Sequence, residues 1–267
     1  MYAGMKWIAT ALALTAFPAL SGPTDHDTTL TVLSGWTAPD GSQMVGLRID
    51  MAQGWKTYWR APGDAGIPPQ VSWAGSQNIA SAAFHWPVPE VFYEGNLRSI
   101  GYTETVTVPM QIYPDTNGRE MRLSGTLDIG VCDEICVPVS LPFDVAITPS
   151  TTRDAAIVAA LVNRPATASE ARIGSVTCAI EPASDGVQIT ARVDVPSTVQ
   201  PQAVIVETAD PMIWVSEPDM TRAGRTLTAQ ADLIHVTGDP FMVDRSGIRI
   251  TLLSGGAAVD IQGCAAP

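Results

Sequence analysis

The run Gly130-Val131-Cys132-Asp133-Glu134-Ile135-Cys136-Val137-Pro138 sets two thiols four positions apart. Thiols this close can form a disulfide that closes a very small loop. On the chain-entropy estimate such a loop contributes roughly 2 kcal/mol, against about 4–5 kcal/mol for a loop of nearly ninety residues. The pair is therefore a weak staple but a workable redox device, because it can open and close without unfolding its host. Exchange requires a thiolate and an accessible sulfur. Asp133 and Glu134 lie between the cysteines, and acids raise the pKa of a neighbouring thiol. No Lys, Arg or His is adjacent in sequence. The attacking thiolate is thus expected from a partner, with this chain presenting the disulfide.

The segments on either side position the pair. Leu123–Ile129 and Val137–Phe143 both alternate apolar and polar residues, as strands do. Asp133, Glu134 and Ile135 then form the tip of a hairpin, with the two cysteines facing each other at its mouth. Pro138 and Pro142 cannot donate to a ladder, which suits an edge or irregular strand. Further strands are predicted at Leu30–Leu33, Met44–Ile49, Gln70–Trp73, Val106–Ile112, Arg122–Ile129 and Val139–Ile147, separated by Pro, Gly, Asn and Asp clusters. A helix is predicted where Ser150 or Thr151 caps the chain, Asp154 favours the first turn, and Ile157, Val158, Leu161 and Val162 make an apolar face; Asn163-Arg164-Pro165 ends it. A Thr/Ala/Ser-rich stretch follows. Strands resume at Gly174–Glu181, Val187–Val195, Ala203–Glu207, Thr226–Ala231 and Ile248–Leu253. Short strands without long amphipathic helices argue for an all-β chain of two sandwich domains, 22–148 and 173–267, joined by a helix and linker at 149–172.

The N-terminus indicates the compartment. Lys6, an apolar run from Trp7 to Ala16, Pro18, and small residues Ala19 and Ser21 before Gly22 form a secretory signal peptide over residues 1–21. No later stretch is long and apolar enough to span a bilayer. The mature chain, about 245 residues, is expected to be periplasmic, where disulfides persist, and not inserted in the membrane. Net charge is −12 for the 267 residues. No basic run exists to bind nucleic acid or anionic lipid.

Four cysteines allow three pairings. We pair near with near and far with far, which makes Cys178–Cys264 a structural disulfide from the first strand of the second domain to its end. Trp36, Trp55, Trp59, Trp73 and Trp86 read as aromatic core or partner surface, and Tyr58 as a side chain that approaches the redox site. His26, His85 and His235 are scattered without ligand spacing. No cofactor and no metal site is expected. Nucleophile–His–acid arrangements, paired carboxylates and phosphate loops are absent, which removes support for hydrolases.

Three segments carry a family resemblance: Gly54-Trp55-Lys56-Thr57-Tyr58-Trp59-Arg60-Ala61-Pro62-Gly63-Asp64-Ala65-Gly66-Ile67-Pro68-Pro69, then Phe92-Tyr93-Glu94-Gly95, then Asp128–Pro138. In order and spacing they resemble the N-terminal periplasmic domain of the DsbD/ScsB thiol:disulfide interchange proteins, over about residues 30–147. The second domain is similar to the further β-domain of the ScsB type. The resemblance implies immunoglobulin-like sandwiches and a component of a protein-disulfide reductase. It implies electrons taken from a thioredoxin-like or membrane-embedded reductase domain and passed to periplasmic disulfide-containing substrate proteins. It maps the mixed disulfide to Cys136, the resolving thiol to Cys132, and a cap loop over the cysteines to Phe92 and Tyr93. The pair is spaced more closely than in DsbD and nearer to ScsB-like members. Because the chain stops at Pro267, the reductase is expected on a separate polypeptide. Two other readings stand beside this one. Sco-type copper proteins also carry CxxxC followed by Pro, and thiolates suit Cu(I), with His235 as the distant ligand. A purely structural adaptor would keep both disulfides inert.

Overall fold

The computed structural model describes residues 28–63, 66–95 and 97–267. The predicted signal peptide, its Ser21/Gly22 cleavage site and His26 lie outside the described residues. Residues 28–147 form ten strands: β1 (Thr28–Thr37), β2 (Gln43–Met51), β3 (Lys56–Tyr58), β4 (Gln70–Ser72), β5 (Ser81–Phe84), β6 (Glu90–Glu94), β7 (Leu97–Thr103), β8 (Thr105–Tyr113), β9 (Met121–Cys132) and β10 (Cys136–Ile147). They make two sheets, ordered β1-β2-β8-β5 and β10-β9-β3-β7-β6, with β4 also paired to β9. Their inner faces close over Leu47, Ile49, Ile100, Val106, Val108, Leu127 and Ile129.

The alternation of β9 and β10 is the reason for their pairing. Leu123, Leu127 and Ile129 point inward from one strand, and Val139, Leu141 and Phe143 from the other. The register runs without a break from Cys136 opposite Cys132 to Ile147 opposite Met121. β10 is the edge of its sheet. That placement tolerates Pro138 and Pro142, because the missing N–H groups leave no ladder bond unmade.

Helix α1 (Ala155–Val162) follows. Its cap is Asp154, not Ser150 or Thr151: the carboxylate accepts from the N–H groups of Ala156 and Ile157 at 2.8 and 3.2 Å. The buried side is also narrower than the predicted face. Ile157 and Ala160 are buried, whereas Val162 is exposed. Ile157 fits where Gly35 and Gly46 lack side chains; a Cβ on Gly46 would lie 2.8 Å from it.

The second sandwich contains β11 (Ala166–Thr167), β12 (Val176–Ala183), β13 (Gly186–Asp194), β14 (Ala203–Glu207), β15 (Ile213–Val215), β16 (Asp219–Ala223), β17 (Thr226–His235), β18 (Arg249–Leu253) and β19 (Ala258–Gln262). Its sheets are ordered β11-β19-β18-β14 and β12-β13-β17-β15, with β16 also paired to β17. Ala166 and Thr167, within the predicted linker, pair in parallel with β19.

The two sandwiches share a packed seam. β14 is buried on both faces, which is why it reads as the continuous apolar run Ala203-Val204-Ile205-Val206. Val204 and Val206 enter the core of the second sandwich. Ala203 and Ile205 pack with Trp59, Ile100 and Met51 of the first. Arg60, directly after the buried Trp59, locks the seam. Its Nε and Nη2 donate to the two carboxylate oxygens of Glu207 at 2.9 Å each, and Nη2 to Thr251 Oγ1 at 3.2 Å. The guanidinium also stacks 3.9 Å from the Trp59 ring. A second ion pair joins Arg98 to Glu217 at 2.9 Å.

Candidate functional site

The structure bonds Cys132 to Cys136 at the mouth of the β9–β10 hairpin, with Cα atoms 4.1 Å apart. The two sulfurs are unequal. Cys132 is the last residue of β9, is paired on its other side with β3, and is 0% exposed. Cys136 opens the edge strand β10 and is exposed. Asp133, Glu134 and Ile135 form the exposed tip, and Ile135 is 73% exposed beside Cys136.

Tyr58 joins the two cysteines from β3. Its hydroxyl lies 2.9 Å from Cys132 Sγ and 3.1 Å from Cys136 Sγ, within hydrogen-bonding distance of both. It can reach them because Gly130, two residues before Cys132 on β9, has no side chain in its way. A Cβ on Gly130 would lie 3.1 Å from Tyr58 Cε2 and 2.9 Å from Ile67 Cβ, so both side chains lie over this glycine. Thr57, on the opposite face, ties β3 to β9 by donating its hydroxyl to Gly130 O at 2.9 Å. Tyr102, opposite Thr57 on β7, is buried and donates to Pro87 O at 2.9 Å; burial pushes its phenol well above the usual 10.

Phe92 and Tyr93 lie on β6 in a hairpin with β7 at the sheet's far edge. The Lys56 ammonium lies 5.4 Å from the centroid of the Phe92 ring. Successive strand residues face opposite ways, so Tyr93 does not share the Phe92 face, and it is 66% exposed. Sequence reasoning assigned no role to Lys56, Gly130 or Ile67, although all three lie in the quoted motifs. The signal available was the i, i+2 spacing of Lys56 and Tyr58, which puts both on one face of a strand.

The second pair, Cys178–Cys264, ties β12 to the chain after β19 across a separation of 86 residues. Cys178 is fully buried, its N–H donates to Ala265 O, and its carbonyl accepts from Arg245 Nε. The tryptophans are mostly packing: Trp73 meets Phe84 and Phe143, and Trp86 stacks on Phe84. His85 is partly buried, and burial holds its pKa below the usual value.

The copper alternative is not supported. The cysteines are flanked by strands rather than opening a helix, and His235 ends β17 in the other sandwich, paired with Ile213. Among the described residues, no three His, Cys, Asp or Glu side chains come together as a metal site.

Residues 29–145 match the family model "Thiol:disulfide interchange protein DsbD, N-terminal". Among solved structures, the N-terminal periplasmic domain of ScsB from Proteus mirabilis aligns with a TM-score of 0.65 at 20% identity, covering 92% of this chain and 96% of that one. The Neisseria meningitidis DsbD N-terminal domain in the reduced form aligns with a TM-score of 0.29 at 19% identity, covering 49% of this chain and 96% of that one. A comparison with curated protein sequences found no match. Both sandwiches therefore share their fold with the ScsB periplasmic domain, and residues 29–145 match the model of a domain family named for thiol:disulfide interchange.

Proposed function

We propose that the exported chain relays electrons between a reductase and envelope substrate proteins through Cys132 and Cys136. The observation that carries this reading is the inequality of the sulfurs: Cys136 is exposed and Cys132 is fully buried under the Tyr58 hydroxyl. A partner thiolate, from a thioredoxin-like or membrane-embedded reductase domain on another chain, attacks Cys136 Sγ in line with the disulfide. The Cys132–Cys136 bond breaks, and its electron pair leaves on Cys132, where the Tyr58 O–H can donate to it. The partner's second thiol then attacks the mixed disulfide, the partner becomes oxidised, and Cys136 is freed. Two electrons and two protons have entered this chain. In the second half-cycle, the Cys136 thiolate attacks a substrate disulfide, and Cys132 resolves that mixed disulfide by re-forming the Cys132–Cys136 bond. Ile135, exposed beside Cys136, offers an apolar contact to either partner. Cys178–Cys264 takes no part and holds the second sandwich. Residues 1–21 serve as the export signal and are removed.

Trapping tests the reading. Cys132→Ser leaves Cys136 without its resolving thiol, so exposure to an oxidised thioredoxin-like protein or to periplasmic extract should accumulate a mixed disulfide through Cys136. Cys136→Ser should yield little, because the remaining sulfur is buried. Absence of any adduct with Cys132→Ser, or equal adduct yields from the two variants, overturns the assignment.

A further inference from the structure

We infer that Lys56 supplies the positive charge that stabilises Cys132 when it leaves as a thiolate; this rests on the exchange reading above. The placement comes from the strand pairing. Lys56 on β3 stands directly opposite Cys132 on β9. Residues directly opposite in an antiparallel pair share a face, with Cβ atoms about 4.5–5.5 Å apart. Tyr58, two residues further along β3, shares that face, and its hydroxyl reaches both sulfurs. The Lys56 side chain is half-buried, and its ammonium is directed towards the Phe92 ring of β6.

The charge answers a problem that the site creates for itself. A fully buried sulfur is a poor place to form an anion, because burial withdraws the water that would solvate it. The surrounding carboxylates oppose the anion further. Asp133 and Glu134 occupy the tip, and the Asp133 carboxylate lies near Gly54, where a Cβ would be 3.9 Å from Oδ1. Thr103, opposite Lys56 on β7, donates its hydroxyl to Glu90. Against these acids, β3 sets the Lys56 cation on the sulfur side and the Tyr58 hydroxyl beside it.

The balance of the step shows what the cation does. A partner thiolate bonds to Cys136 Sγ, the Cys132–Cys136 bond breaks, and one negative charge is transferred from the partner sulfur to Cys132. A leaving thiol of lower pKa departs faster. In the return direction, the same charge keeps a larger fraction of Cys132 as the thiolate that resolves the mixed disulfide. The contact with Phe92 sets the β6–β7 hairpin against the ammonium, so displacement of β6 by a docking partner would be felt at the cation whose strand position faces Cys132.

The test isolates the buried thiol. In a Cys136→Ala background, the ultraviolet thiolate absorbance of Cys132 is followed against pH with Lys56, Lys56→Met, Lys56→Gln and Lys56→Arg. Met and Gln should each raise the midpoint by about one pH unit, and Arg should keep it near that of Lys. With both cysteines present, reduction by dithiothreitol should slow about three-fold in Lys56→Met and Lys56→Gln. An unmoved midpoint in whichever of these two keeps the native melting temperature overturns the inference, as does an equal rise in Lys56→Arg, which would assign the effect to packing. If the chain with native Lys56 is not reduced at Cys132–Cys136 by dithiothreitol or by a thioredoxin-like protein, the exchange reading itself fails.

Discussion

Gly130→Ala places the smallest available perturbation at the centre of the site. The added methyl would lie 2.9 Å from Ile67 Cβ, 3.1 Å from Ile67 Cδ1 and 3.1 Å from Tyr58 Cε2. Carbon atoms in good contact sit about 3.5–4.0 Å apart, so each neighbour must retreat by roughly half an ångström or more. Ile67 is exposed on a loop and can yield; Tyr58 is 4% exposed and cannot move without disturbing its neighbours. A ring displaced by that amount lengthens the hydroxyl's contacts of 2.9 and 3.1 Å with the two sulfurs by about half an ångström. Overpacking of this kind costs about 1–3 kcal/mol, which corresponds to a fall in melting temperature of about 2–12 °C for a unit of 150–250 residues. The functional effect should run in the same direction as that of Tyr58→Phe, which removes the hydroxyl outright, and should not exceed it. A charge-assisted bond to a departing thiolate is worth about 1.5–3 kcal/mol against about 1 kcal/mol for a neutral one. Loss of the difference slows reduction by roughly two- to thirty-fold at most. The assay is stopped-flow reduction by dithiothreitol beside a thermal melt, for Gly130→Ala, Tyr58→Phe and the double variant. The double variant should be no slower than Tyr58→Phe alone, because the methyl then has no hydroxyl left to displace. Native melting temperature and native rate in Gly130→Ala would refute the packing argument; additive slowing in the double variant would refute the route through Tyr58.

The two disulfides should differ in what their loss does. Replacing Cys178 and Cys264 with Ala opens a separation of 86 residues and should lower urea-unfolding stability by about 4–5 kcal/mol, whereas replacing Cys132 and Cys136 should cost about 2 kcal/mol or less and abolish exchange; the reverse order would be wrong for a redox pair and a staple. Glu207→Gln leaves the Arg60 charge facing a neutral partner at the seam, where the two side chains are only 13% and 20% exposed, and should cost about 1–3 kcal/mol, partly recovered by Arg60→Met in the double variant; calorimetry of the four proteins measures the coupling, and zero coupling would remove the pair as a lock. The hydrogen bond from Arg164, with further bonds from Thr167, lowers the Glu170 carboxyl from its usual 4.5 to about 2. A carboxyl lowered on folding stabilises the fold above pH 4.5 and loses that contribution as pH falls towards 2, so Glu170→Gln should flatten this part of the stability–pH curve, and an NMR titration midpoint near the usual value would contradict it.

Local pattern carried much of the architecture. The alternation of Leu123–Ile129 and Val137–Phe143 specified a hairpin, and the three residues between the cysteines specified its tip, because period-two burial leaves one register that buries both apolar sets. Pro138 and Pro142 marked an edge strand for a reason internal to their own backbone. β3 was harder to see: three residues are too few to show a period, and its place between β7 and β9 comes from partners distant in sequence. The helix cap moved to Asp154 because three neighbouring residues could each cap a helix, and only the packing of Ile157 over Gly35 and Gly46 decides where the first turn begins.

The sequence by itself determined that two thiols are held close in a short, openable loop, with acids between them. Read alone, that arrangement is electrostatically unfavourable to a thiolate. Tertiary structure decided which sulfur is buried and which is open, and it brought the Tyr58 hydroxyl and the Lys56 strand position to Cys132 from more than 70 residues away along the chain. The physical reason is that charge and hydrogen bonding act through space over a few ångströms. Neighbours along β9 and β10 are set by the order of residues, but neighbours across β3 and β9 exist only once the sheet has formed.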